Sequence, residues 1–260
     1  MKIAWPILAA FLVSIFAVDV DAKLVSKSVP YQHGTTELEG YLAYDDSVQG
    51  KRPGVLIVHE FWGLNDYVKK RADLLAGEGY VTFAVDMYGK GKVTEHPKEA
   101  GGWAEQIRSN IELWRDRATA GLEALKKEPL TDTARIAAIG YCFGGSTVQH
   151  MAYKGEDLKG VMSFHGALVM PAEGDGKQGK VKILIAHGAA DVMITPEKVQ
   201  EYVTAMNKTD LDWRMIIYSG AKHSFTNPDA DKRGMPGLGY NKLADSRSWA
   251  DLKSFFKEIF

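Results

Sequence analysis

What this chain lacks narrows its reading first. It has one cysteine in 260 residues, Cys142, so no disulfide can close within it and no disulfide framework holds its fold. Neither charge is in excess: 32 Lys and Arg stand against 33 Asp and Glu, which leaves no field to draw nucleic acid or an acidic surface. There is no block of like charge, no low-complexity tail and no internal repeat, which excludes solenoids and charged interaction arms. His59-Glu60-Phe61-Trp62-Gly63 lacks the second histidine of a zinc-binding helix, and no cysteine pair or close histidine spacing replaces it, so no metal and no cofactor is expected.

The one long apolar run, Trp5 to Val18, falls short of the ~20 residues that span a bilayer. Lys2 precedes it and Val20-Asp21-Ala22 follows. A basic start, an apolar centre and small residues before a cut are the parts of an export signal. Residues 1–22 are therefore expected to be a signal peptide, and 23–260 one exported domain, periplasmic or secreted, with no stable membrane insertion. A lone thiol in an oxidising compartment is either buried and inert or kept for its chemistry.

Along the rest of the chain apolar β-rich runs alternate with helical patterns. Residues 24–44 read as a β-hairpin turning near His33-Gly34, Val55–Val58 as a buried strand after Pro53-Gly54, and Asp66–Glu78 as a helix. Tyr80–Val85 is the next strand. From Pro97 to Lys127 Ile107, Ile111, Trp114, Ala118, Leu122 and Leu125 form a single apolar stripe, which predicts a long helical region. Strands at Ile136–Tyr141, Gly160–His165, Val181–His187 and Asp212–Tyr218 alternate with helices at Gly144–Tyr153, Pro196–Asn207 and Ser246–Phe260. That order predicts an α/β fold, a mainly parallel sheet covered on both faces, with the hairpin as an antiparallel edge. Its site belongs at the carboxyl ends of the strands.

Ile136–Tyr141 runs into Gly140-Tyr141-Cys142-Phe143-Gly144-Gly145. This is the G-x-nucleophile-x-G turn of α/β-hydrolases, with cysteine as nucleophile and the required strand before and helix after. Flanking glycines let the crowded turn form, and the helix start aims amides and a positive dipole end at the sulfur. A buried core cysteine beside a glycine turn is the bland alternative. An activated nucleophile needs a base, and the base an orienting group. Asp191 follows strand Val181–His187 and His223 follows strand Asp212–Tyr218. The order Cys142, Asp191, His223 is the one this architecture uses. His59, His165 and His187 also fall at strand ends and read as hydrogen-bonded packing residues around the site.

Val58-His59-Glu60-Phe61-Trp62-Gly63, the Cys142 turn, Gly188–Asp191 and His223-Ser224-Phe225 together resemble the dienelactone hydrolase family, from about Val25 to Phe260. The resemblance implies the α/β-hydrolase fold and a Cys142–His223–Asp191 triad. It implies a Glu60 that contacts the resting thiol until substrate displaces it, and an oxyanion hole made by the Phe61 and Phe143 amides. It also implies hydrolysis of a small-molecule lactone or carboxylic ester. One position departs from it: Asn227 stands where the best-known members carry an arginine that holds the substrate carboxylate, and Arg108 is near the second such arginine only in chain order. Without that clamp an anionic lactone would be held more weakly. A general carboxylesterase or thioesterase is the nearest alternative, and a catalytically silent binding protein on the same fold a further one.

Overall fold

The computed structural model describes residues 23–177 and 180–260; the expected signal at 1–22 lies outside the described residues. Strands β1 (Leu24–His33) and β2 (Thr36–Asp45) form the hairpin, antiparallel from Leu24 opposite Asp45 to His33 opposite Thr36. They are followed by β3 (Arg52–Val58), β4 (Val81–Val85), β5 (Thr131–Tyr141), β6 (Gly160–Phe164), β7 (Lys182–Gly188) and β8 (Trp213–Tyr218). Among the described residues these make one eight-stranded sheet in the order β1-β2-β4-β3-β5-β6-β7-β8. β3 to β8 are parallel, and β2 joins them antiparallel through Tyr41–Ala43 against Thr82–Ala84. The expected parallel sheet with an antiparallel edge is the observed one.

Helices α1 (Asp66–Ala76), α2 (Pro97–Arg108), α3 (Ile111–Lys127), α4 (Phe143–Lys154), α5 (Pro196–Met206) and α6 (Lys242–Ile259) cover the sheet. Consecutive residues of a strand face opposite sides, and in β3 every residue from Val55 to Val58 is buried. Leu56 and Val58 face α3, α4 and α5, packing with Leu122, Val148, Met151 and Tyr202. Val55 and Ile57 face α1 and α6, packing with Val68, Leu75, Leu252 and Phe256. Truncating a side chain such as Leu56 to alanine in a core of this kind costs about 2–5 kcal/mol.

The long helical region expected over Pro97–Lys127 is divided into two helices. The chain breaks at Ser109-Asn110, where the Asn110 side chain accepts a hydrogen bond from Leu113 N at 3.0 Å and caps α3. An asparagine there satisfies an amide that a new helix leaves free, and Ile111, read as part of the stripe, is 41% exposed. α6 begins a turn earlier than expected because Asn241 caps it through Ala244 N at 3.0 Å. The glycine- and proline-rich stretch before it contains a short 3-10 turn at Ala230–Arg233.

Candidate active site

Cys142 sits between β5 and α4 with φ 53 and ψ −111, a backbone conformation that L side chains rarely adopt. The turn is possible because its neighbours lack side chains. A Cβ at Gly140 would come within 2.0 Å of Gly144 O, and one at Gly144 within 2.2 Å of Val58 O. The half-exposed thiol is thereby lifted above the sheet at the start of α4. The Cys142 amide is held from behind, by Phe164 O at 3.0 Å and by His165 Nδ1 at 3.2 Å. His165 is buried, and burial, reinforced by the His223 and Arg71 charges, keeps its pKa well below the ordinary imidazole value. Its ring is thus neutral, with Nδ1 accepting and Nε2 donating to Thr226 Oγ1 at 2.7 Å.

The loops after β7 and β8 lie against each other, with Ala189 N donating to Tyr218 O at 2.9 Å and Ala190 N to Ala221 O at 2.8 Å. This contact brings Asp191 Oδ2 to 2.8 Å from His223 Nδ1, while Asp191 Oδ1 accepts from Met193 N at 2.9 Å. Both side chains are buried. Burial lowers the pKa of His223, but the Cys142 charge, hydrogen bonds to Asp191 and Cys142, and the Asp191 charge outweigh it and raise the pKa. The three residues expected to act together, Cys142, His223 and Asp191, are brought together.

Phe61 follows β3, and its flanking peptides are fixed. His59 is neutral because burial lowers its pKa. Its Nε2 accepts from Met87 N at 3.3 Å and its Nδ1 lies 2.5 Å from Glu60 O, so Nδ1 carries the proton and donates to that carbonyl. Tyr88 Oη donates to Phe61 O at 3.2 Å. The Phe61 and Phe143 amides have no acceptor among the described residues, and Phe61 and Cys142 line the same cavity. His59 and His165 are hydrogen-bonded supports, as expected; His187 Nδ1, also buried, has no partner among the described residues.

Glu60 differs from the expectation. Its carboxylate receives Ser224 Oγ on Oε1 at 2.6 Å and Asn227 Nδ2 on Oε2 at 2.6 Å, and no hydrogen bond joins it to the thiol among the described residues. Burial raises its pKa against the lowering effect of those two hydrogen bonds and of the His223 and Arg233 charges. Asn227 is itself buried, bonds Glu60 and is not among the residues that line the cavity.

The cavity beside Cys142 and His223 measures about 450 Å³, a size that suits a small organic molecule. Its walls are mostly apolar, including Trp114, Val169, Ile194 and Leu238. Leu238 and Met235 come from the glycine- and proline-rich segment, which forms one wall. Arg108, which chain order alone left unplaced, lines the cavity with its guanidinium carbon 5.4 Å from the centre of the Phe143 ring.

Residues 38–260 match the dienelactone hydrolase family. A dienelactone hydrolase-like promiscuous phosphotriesterase from metagenomic libraries, known from its crystal structure, superposes with a TM-score of 0.88 and 34% identity, covering 92% of this chain and 99% of its own. Among sequence relatives, the protein usf of Aquifex pyrophilus is 26% identical over 90% of this chain and 99% of its own. A Bradyrhizobium protein named "Probable 2-oxo-3-(5-oxofuran-2-ylidene)propanoate lactonase" is 25% identical over 82% of this chain and 88% of its own.

Proposed function

The chain belongs to the dienelactone hydrolase family, a family of hydrolases, and on that footing we propose that it cleaves a small-molecule carboxylic ester or lactone through a thioester on Cys142. The observation that carries this reading is the strained Cys142 turn opening onto the same cavity as His223, whose other face is held by Asp191 at 2.8 Å. In the proposed reaction the Cys142 thiolate attacks the carbonyl carbon while the Phe61 and Phe143 amides receive the developing oxyanion. Collapse breaks the carbon–oxygen bond, and the His223 imidazolium protonates the departing oxygen. His223 then takes a proton from water, the hydroxide attacks the thioester, and the acid leaves as the thiolate re-forms. Asp191 holds the ring in the tautomer and orientation both steps need.

Turnover of aryl acetates, an acyl thioester, a neutral lactone, an anionic dienelactone and an aryl phosphotriester by wild type and Cys142→Ala tests the reading. The phosphotriester belongs in the set because a relative 34% identical is described as a phosphotriesterase. Activity in wild type and none in Cys142→Ala is the expected result. Equal activity in both would remove Cys142 as nucleophile. The export of residues 23–260 is part of the same proposal, supported by the basic-then-apolar pattern of residues 1–22; the amino-terminal sequence of the purified native protein checks it, with Lys23 expected first.

A further inference from the structure

Cys142, Ser146 and His150 recur every four residues at and along α4, and all three line the cavity. A step of four keeps side chains on one face of a helix. His150 therefore stands about 12 Å beyond the nucleophile, two turns along the cavity floor. Trp114 and Val169 line the same cavity with apolar surface.

The His150 ring lies against Trp114, the ring centres 4.5 Å apart. Its Nδ1 is closed off from solvent and has no hydrogen-bond partner among the described residues. That nitrogen is out of reach of a ligand as well as of water, whereas Nε2 is not among the closed-off atoms and makes no hydrogen bond among the described residues, so Nε2 is the ring nitrogen open to a polar group that arrives in the cavity. The charges near this ring offset each other: Arg115 and Asp175 face one another at 3.7 Å. Burial and then the Arg115 charge, opposed by Asp175, lower the His150 pKa to about 4, so the ring is neutral at neutral pH. The end of the cavity is thus an uncharged hydrogen-bonding site, while the Arg108 guanidinium rests on the Phe143 ring beside the nucleophile.

We propose that His150 is a specificity-determining residue that hydrogen-bonds an uncharged oxygen, a hydroxyl or carbonyl, carried by the substrate about 10 Å from the scissile carbonyl. The substrate class this defines is an elongated ester or lactone with an apolar middle and a neutral polar far end. The inference rests on Cys142 as the nucleophile.

The test is a set of esters in matched pairs, methyl-ended and hydroxyl-ended, of increasing chain length on either side of the ester. kcat/KM is measured for each pair in wild type, His150→Phe and His150→Asn. The ratio within a pair is independent of the folded fraction, so a partly misfolded variant still reports. Wild type is expected to favour the hydroxyl-ended ester about tenfold at one chain length, equivalent to ~1.4 kcal/mol. The preference should vanish in His150→Phe and return in part in His150→Asn. A preference that survives His150→Phe, the absence of any preference in wild type, or a carboxylate-ended ester favoured over the hydroxyl-ended one would each overturn the inference. Cys142→Ala run on the methyl-ended esters reports separately on the nucleophile: persisting turnover there sinks the proposed reaction, whatever His150 does.

Discussion

The carboxylate of Glu60 and the side-chain amide of Asn227 meet at 2.6 Å, 167 positions apart in the chain. The other carboxylate oxygen takes the Ser224 hydroxyl at 2.6 Å. One buried carboxylate thus ties the loop that carries the Phe61 amide to the loop that carries His223. Ser224 needs such a tie, because its φ of 56 is unfavourable for a residue with a side chain. The position at which an anionic substrate was expected to lose its clamp is instead occupied by a bond that holds the site together.

Asn227→Ala should therefore lower stability by about 1–3 kcal/mol, because a buried oxygen of Glu60 loses its donor; urea unfolding measures it. Asn227→Arg should not raise the turnover of an anionic lactone relative to a neutral one, since Asn227 bonds Glu60 and is not among the residues that line the cavity. A rise in that ratio would put residue 227 at the substrate.

Gly144→Ala places a Cβ 2.2 Å from Val58 O and 2.8 Å from His59 O. Both contacts are backbone, which cannot swing aside as a flexible side chain can. The variant is expected to lose at least about 1–3 kcal/mol of stability and, in whatever fraction folds, to displace the Cys142 turn. Thermal melting and the rate of alkylation of Cys142 by iodoacetamide report the two effects; an unshifted melting temperature would mean the strand and helix separate without strain.

The parts of the site visible in the chain were those fixed by local rules. A nucleophile between a strand and a helix, and an acid and a histidine just past later strands, follow from topology, and the structure sets Asp191 against His223 and His223 in the same cavity as Cys142. The cavity walls obey no local rule. Arg108, Trp114 and His150 lie on three helices whose faces meet only once the sheet is built. The partners of Glu60 were equally out of reach, since nothing near Glu60 in the chain marks Ser224 or Asn227. The break at Asn110 was hidden for a different reason: the apolar stripe keeps its period across it, and only the capping bond to Leu113 shows where a new helix starts.

The pH dependence of stability follows from His223. Its folded-state pKa is raised to about 10 from the ordinary 6.5, with burial opposing and Cys142 and Asp191 supporting the charged ring. The folded protein holds that proton more tightly than the unfolded chain, so the contribution is complete below the unfolded value and falls as pH rises through the folded one. Between pH 6.5 and about 10 the melting temperature of wild type should drop more steeply than that of Asp191→Asn, which lacks a carboxylate that favours the charged ring. Parallel melting curves across that window would show that Asp191 does not hold the imidazolium.

His59 acts on the reaction through a peptide plane. Its Nδ1 proton is donated to Glu60 O at 2.5 Å and its Nε2 accepts from Met87 N at 3.3 Å, so the ring locks the Glu60–Phe61 peptide to β4's end. The amide of that peptide is the proposed first oxyanion donor, and fixing its carbonyl fixes the direction of its N–H. Loss of a whole oxyanion donor costs about 10²–10³ in kcat; loss of its support should cost less, on the order of tenfold, because the amide is still there but less well aimed. His59→Ala is expected to lower kcat with KM nearly unchanged, since the bound ester makes its strongest contact with that amide only as the tetrahedral oxygen forms. His59→Gln, which keeps one donor and one acceptor at the end of its side chain, should recover part of the rate. A merely structural role predicts a different pattern, in which both variants lose stability and active-site titration shows fewer competent molecules turning over at the wild-type kcat.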